Sequence, residues 1–155
     1  MNEKMLILER KIDREQQTIS NIYDKIGEPN LEAETDENTL IVLAYHLHSL
    51  YTAFENVFQQ IAVTFENQLD DNSGWHTQLL QRMALDLTPI RPAVIDEDAF
   101  ENLSELRRFR HLFRTAYFIR FDPRRLQFVV DCAVQLKETY PVQLERFVAF
   151  LRSVE

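Results

Sequence analysis

The sequence has few of the residues that interrupt regular structure or cross-link a fold. It contains 2 Gly and 5 Pro among 155 residues, too few for the many tight turns of a typical all-β domain. Its single cysteine, Cys132, cannot form an internal disulfide, and its apolar neighbours predict a buried structural thiol. No apolar run approaches a membrane span and no signal-peptide pattern opens the chain, so we expect a cytoplasmic protein.

The remaining composition is that of an ordinary folded protein. Hydrophobic residues make up 45% and charged residues 27%, values typical of a globular domain with a packed core. The length is about that of one domain, so we predict a single domain over residues 1–155.

Apolar residues recur at steps of three and four along most of the chain, which indicates amphipathic helices. The first predicted helix spans 3–26 and stops at Gly27, and the second begins after Thr35 or Asp36 and ends at 70–74. A shorter third helix carries Trp75, Leu79, Leu80, Met83 and Leu87 on its inner face. The two prolines at 89 and 92 predict a loop over 88–92.

Two further helices complete the chain. Asp96 is predicted to cap a helix that runs to about Phe118, and Asp122-Pro123 to start the last one. Pro141 either kinks this last helix or divides it in two. With five or six helices and no credible strand, we predict an all-α, up-and-down helical bundle. The predicted core residues of the first, second and last helices are Leu8, Ile12, Ile19, Ile22, Ile26, Leu40, Leu43, Leu47, Leu50, Tyr51, Phe54, Val57, Phe58, Ile61, Phe65, Leu126, Val130, Ala133, Leu136, Tyr140, Leu144, Phe147 and Leu151.

The charge of the chain is unevenly distributed. Seven arginines and one aspartate lie between Arg107 and Arg125, a local charge of +6, so that the remaining residues carry −14 of the total of −8. Such a basic patch on an acidic protein favours an anionic ligand or an acidic partner protein. The alternative is a solvated helix face paired with nearby carboxylates.

We call residues 107–117 the arginine stripe. At about 100° per residue, its apolar side chains share one side of a helix and its polar side chains the other. The predicted buried face is Leu106, Phe109, Leu112, Phe113 and Ala116; the polar face is Arg107, Arg108, Arg110, His111, Arg114 and Thr115, with Tyr117 at the border. Four arginines on one face repel each other, and guanidinium groups suit phosphate because they donate two parallel hydrogen bonds.

The stripe resembles the signature of HEPN-domain proteins of the HepT type, the toxins of HepT/MNT toxin–antitoxin pairs. That signature is Arg, four or more residues, His, one residue and Tyr, near the end of a long helix. Arg110, Thr115 and Tyr117 occupy these places. The long helix with residues 45–51 and Glu55, the Trp75-His76 helix start and the Arg91-Pro92 loop also match, and the resemblance covers roughly residues 38–120.

The resemblance implies a HEPN-like bundle and a metal-independent, cofactor-free endoribonuclease that works as a homodimer. Arg110 would orient the scissile phosphate of RNA, Arg107 and Arg114 would bind RNA, and the signature His would move the proton of the ribose 2′-hydroxyl. A nucleotidyltransferase antitoxin of the MNT type would modify Tyr117 and silence the toxin.

The chain departs from the signature where Thr115 replaces the His. A hydroxyl cannot act as general acid or base near neutral pH, whereas an imidazole can. Two interpretations remain open: His111, one turn earlier on the same face, takes over the role, or the protein is a non-catalytic helical protein that presents its arginines to an antitoxin or another acidic partner. His46 and His48, on the apolar second helix, are predicted to be satisfied core or edge histidines, and no metal site is predicted.

Overall fold

A computed structural model of the chain describes residues 2–66, 75–115 and 120–154, excluding the side chains of 75–77. These residues form five helices: α1 (Glu3–Ile26), α2 (Glu37–Glu66), α3 (Trp75–Met83), α4 (Glu97–Thr115) and α5 (Pro123–Ser153). The predicted segment 70–74, the side chain of Trp75 and the predicted end of α4 near Phe118 lie outside the described residues.

The four long helices alternate in direction, as cross-helix contacts show. Lys11 of α1 donates a hydrogen bond to Gln60 near the far end of α2. Arg110 of α4 bonds Thr52 of α2, while Phe113 meets the ring of His48 one turn earlier on α2. Since α5 runs antiparallel to α1 and α4, the arrangement is the predicted all-α up-and-down bundle, with no strand among the described residues. No described helix combines the length and apolarity needed to cross a membrane.

Local signals in the sequence set the helix ends. Gly27 takes a positive φ of 61°, a conformation that glycine adopts at little cost, and its N–H bonds the carbonyl of Tyr23 at 2.9 Å. The carboxylate of Asp96 accepts from the N–H of Ala99 at 2.8 Å, and that of Asp122 from Arg124 at 3.0 Å. Both predicted caps are confirmed.

The core is the one that helical spacing predicts, with few exceptions. The exceptions among the described residues are Ile22, Phe65, Leu87 and Phe113, which are half-buried, and Leu112, which is 40% exposed. Leu112 lies at the edge of the apolar arc, about 40° from Arg108 by the helical count, so its placement in the core was wrong. Cys132 is buried as predicted, and burial raises its pKa to about 11.

Two predicted helix boundaries need correction. The third helix ends at Met83 rather than near Leu87, because the chain turns back and Leu87 pairs with the backbone of Arg91. The last helix passes through Pro141 without division, so the two-helix alternative was wrong. The helix is packed on both sides of the proline: before it Tyr140 contacts Tyr23 and Phe54, and after it Phe147 contacts Phe65.

A buried ion pair ties the end of α2 to the loop before α4. The Arg91 side chain is fully buried and donates to both carboxylate oxygens of Glu66, at 2.7 and 3.4 Å. It also donates to the carbonyls of Arg82 at 3.0 Å and Leu85 at 3.3 Å. Because Arg82 lies in the last turn of α3 and Leu85 just after it, Arg91 satisfies acceptors that the helix end leaves open.

We expect Arg91→Ala to lower the free energy of unfolding by about 3–5 kcal/mol, since it leaves the Glu66 carboxylate buried without its main partner. Arg108→Ala is the matched control, because the Arg108–Glu105 pair is exposed and should contribute about 1 kcal/mol or less. Urea denaturation followed by circular dichroism measures both. Equal losses in the two variants would contradict the structural role of Arg91.

Candidate functional site

The polar residues of the arginine stripe do not share one surface in the folded chain. Arg110 points toward α2, where it contacts Thr52 and Glu55. His111 and Thr115 instead line a cavity that α4 forms with the start of α5. By the helical count the two groups lie about 100° to 140° apart, so packing α4 between α2 and α5 assigns them to different sides.

Arg110 is held in place by three residues of α2. Its Nε donates to the Thr52 hydroxyl at 3.1 Å, and that hydroxyl donates in turn to the carbonyl of His48 at 3.1 Å. Its Nη2 lies 3.7 Å from the buried carboxylate of Glu55, and its guanidinium carbon lies 5.9 Å from the centre of the Tyr51 ring. The guanidinium is therefore positioned before any ligand binds.

The other donors of Arg110 are available to a ligand. Nε is the only one of its five N–H donors that makes a hydrogen bond to a described residue. Its side chain keeps 15% of its surface exposed, although Nη2 also forms the ion pair with Glu55. The Nη donors can thus bind an anion that approaches from solvent.

His48 lies beside this arginine and is not a satisfied core histidine, contrary to the prediction. Its ring is half-buried and packs on Phe113, with centroids 5.1 Å apart. Nδ1 is the one buried side-chain nitrogen or oxygen in the described residues that lacks a hydrogen-bond partner. Burial lowers the pKa of His48, and the positive charges of Arg110 and Arg114 lower it further.

The α4–α5 cavity has a volume of about 840 Å³ and lies on the opposite side of α4. Its walls are apolar at the base and basic at the rim, where Arg120, Arg124 and Arg125 are exposed. Phe109, Phe113 and Phe121 pack together with centroids 6.1 to 6.3 Å apart, and they separate this cavity from His48.

Thr115, at the signature position, is exposed on the cavity side. Its hydroxyl donates to the carbonyl of His111 at 3.0 Å or to that of Leu112 at 3.3 Å, both on its own helix. These bonds explain how a threonine is accommodated in the last turn, and they give its hydroxyl no function in proton transfer. Tyr117, the predicted modification site, lies outside the described residues.

Sequence reasoning gave the α2 side of the site no role, although the resemblance included residues 45–51 and Glu55. His48, Thr52 and Glu55 follow each other at steps of four and three, so they form a polar row along one side of α2. That row was visible in the sequence. Its role could not be predicted, because only the packing of α4 on α2 places Arg110 against this row.

Comparison with known proteins identifies the family of the chain. The family model described as HepT-like protein matches residues 42–151, from the first turns of α2 to the end of α5. The chain belongs to the HepT-like protein family. The match includes His48, Arg110 and Thr115, while α1 precedes it. Searches of curated proteins and of solved structures found no match to this HepT-like chain.

We expect His48 to titrate with a midpoint below its ordinary value of about 6.5. Because the unfolded chain then binds more protons than the folded one, this residue lowers the stability as pH falls below about 6.5. NMR titration of the histidine ring resonances measures the midpoint. Arg110→Met should raise it only in part, since burial is the larger cause, and Arg108→Met, on the cavity side, should leave it unchanged. A His48 midpoint at or above 6.5 in the parent chain would contradict this environment.

Proposed function

We propose that this HepT-like protein is the toxin of a toxin–antitoxin pair and cleaves RNA without a metal ion or cofactor. In this proposal two copies form the active nuclease, and a nucleotidyltransferase antitoxin silences it by modifying Tyr117. Membership of the HepT-like family supports a toxin-type role. The assignment of RNA as substrate rests on the chemistry around Arg110.

The observation that carries the proposal is an arginine that Thr52 and Glu55 hold in place while its side chain stays partly exposed. Two parallel N–H groups match two phosphate oxygens, so Arg110 can hold the scissile phosphate and neutralise charge that develops there. Arg107 and Arg114 carry no ion pair to a described residue and add positive charge on the same side. RNA supplies both the phosphate and a 2′-hydroxyl as internal nucleophile.

Cleavage then needs a group that accepts the proton of the 2′-hydroxyl. The 2′-oxygen attacks phosphorus, the bond to the 5′-oxygen breaks, and a 2′,3′-cyclic phosphate and a 5′-hydroxyl result. Thr115 cannot take this proton near neutral pH, and His111 lies on the cavity side. His48 lies beside Arg110, and its lowered pKa keeps it neutral at pH 7, so we assign the proton to His48.

A second candidate function is non-catalytic binding of an antitoxin or another acidic partner through the arginines. The bonds from the Thr115 hydroxyl to its own helix favour it, because the signature position then contributes nothing to acid–base chemistry. In the catalytic proposal, by contrast, Thr115 supplies no proton. Water then protonates the leaving 5′-oxygen, so we expect the parent chain to cleave RNA slowly.

We expect purified protein to cleave total RNA slowly in the presence of EDTA, and Arg110→Ala to abolish the cleavage. Thr115→His restores the imidazole of the family signature, which in the proposed dimer serves the leaving oxygen from the partner copy, and it should raise the rate by about 10²–10⁴-fold. The measurement is gel electrophoresis of labelled RNA with detection of the cyclic phosphate ends.

Arg14→Ala is the matched control, since Arg14 is an exposed arginine on α1, and it should keep the parent rate. Cleavage that survives in Arg110→Ala would point to a contaminating nuclease. If neither the parent nor Thr115→His cuts RNA, the enzyme proposal is wrong and the binding function replaces it.

We also expect a two-fold dimer in which the arginine stripes of the two copies face each other, because one copy supplies no complete acid–base pair. In this arrangement Thr115 lies near the two-fold axis, where identical residues of the two copies meet, so Thr115→Cys should cross-link two chains on oxidation. Ser20→Cys, on an exposed part of α1, is the control and should not cross-link. Light scattering at micromolar concentration should give the dimer mass, and a monomer mass would refute the arrangement.

A further inference from the structure

The α4–α5 cavity exposes apolar side chains that the packing of the helices leaves unburied. Its volume of about 840 Å³ is within the range of pockets that bind small molecules. Phe128 of α5 lines it and keeps 54% of its surface exposed, and Leu112 of α4 keeps 40%. Phe121 adds a second aromatic ring to the same wall. These side chains form an apolar surface open to solvent beside the signature residue Thr115.

The rim of the cavity is basic and its arginines are uncommitted. Arg120, Arg124 and Arg125 are exposed, and none makes an ion pair with any described residue. The two acidic residues on the cavity are already engaged: Glu105 pairs with Arg108, and Asp122 caps α5. The opening therefore carries a net positive charge on a protein that is acidic overall.

We propose that the α4–α5 cavity binds an unpaired base of single-stranded RNA, with Phe128 stacking on the base and Arg124 and Arg125 holding its phosphates. An aromatic wall beside free guanidinium groups suits a nucleotide, which has a flat apolar face and an adjoining anion. A base in a duplex is already stacked and cannot enter, so the cavity selects single strands. An acidic peptide would use the arginines but would not require the exposed ring.

This proposal rests on the proposed function and extends it. Thr115 and His111 of α4 line the same cavity. An RNA strand anchored in the cavity therefore passes Thr115 as it continues along α4. The cavity would thus determine which RNA segment is presented to the nuclease. Base binding needs no chemistry, so it is measured separately from cleavage.

The test uses the full chain and a short 2′-O-methyl RNA that cannot be cleaved by its own 2′-oxygen, with one 2-aminopurine base. Stacking quenches the fluorescence of this base. Binding by the parent should quench it, and Phe128→Ala should weaken binding between about fivefold and about 150-fold and remove most of the quenching. Because Phe128 is exposed, this variant should retain its fold, which circular dichroism checks.

The arginines are tested by the salt dependence of the same binding. Arg124→Ala combined with Arg125→Ala should reduce the slope of log affinity against log salt by about 0.7 for each arginine removed. Val142→Ala and Arg146→Ala are matched controls, because both residues are exposed further along α5, and they should bind as the parent does.

Three results would overturn the proposal. The first is a loss in Val142→Ala equal to that in Phe128→Ala, and the second is equal binding of the duplex form without quenching. The third is binding of poly-glutamate but not of the RNA, which would assign the cavity to an acidic protein. Failure of RNA cleavage with intact base binding would instead refute only the nuclease step of the proposed function.

Discussion

The buried pair between Arg91 and Glu66 is the constraint on which the arrangement of the helices depends. A guanidinium enclosed in protein is tolerated only when its donors are satisfied, and Arg91 finds its acceptors on the end of α2, the residues after α3 and its own loop. The same turn brings Val94 to the carbonyl of Met83 at 2.8 Å, directly before the cap at Asp96. The starting point of α4 is thereby set relative to α2, and with it the side of α4 that meets α2.

That orientation divides the chemistry of α4 in two. Phe113 packs on His48 toward α2, while Phe109 and Phe121 close the wall toward α5. On one side of this aromatic cluster Arg110 is paired with a buried carboxylate and lies next to the His48 imidazole, whose Nδ1 is buried without a hydrogen-bond partner. On the other side the arginines are exposed and border an apolar cavity. An arginine held against α2 and an apolar cavity with a basic rim thus occupy different faces of one helix.

The environments of the arginines differ enough to give them different functions. Arg110 loses rotational freedom to Thr52 and Glu55, so it can position a ligand with little further ordering cost. Arg124 and Arg125 are exposed, and such side chains contribute mainly long-range electrostatic attraction of an anionic ligand. In the proposed function these two roles are complementary. Arg124 and Arg125 attract the RNA strand and Arg110 positions it, because a strand must be captured before it is aligned.

The sequence by itself determined the helices, their caps and the core, because periodicity, Gly27, Asp96 and Asp122 act within one helix or at its end. It also located the arginine stripe and predicted that Thr115 stands at the position of the signature His. Only the tertiary structure decided that Arg110 and His111 face different neighbours and that His48 belongs with Arg110. These relations depend on how α4 rotates between α2 and α5, and residues far apart along the chain decide that rotation.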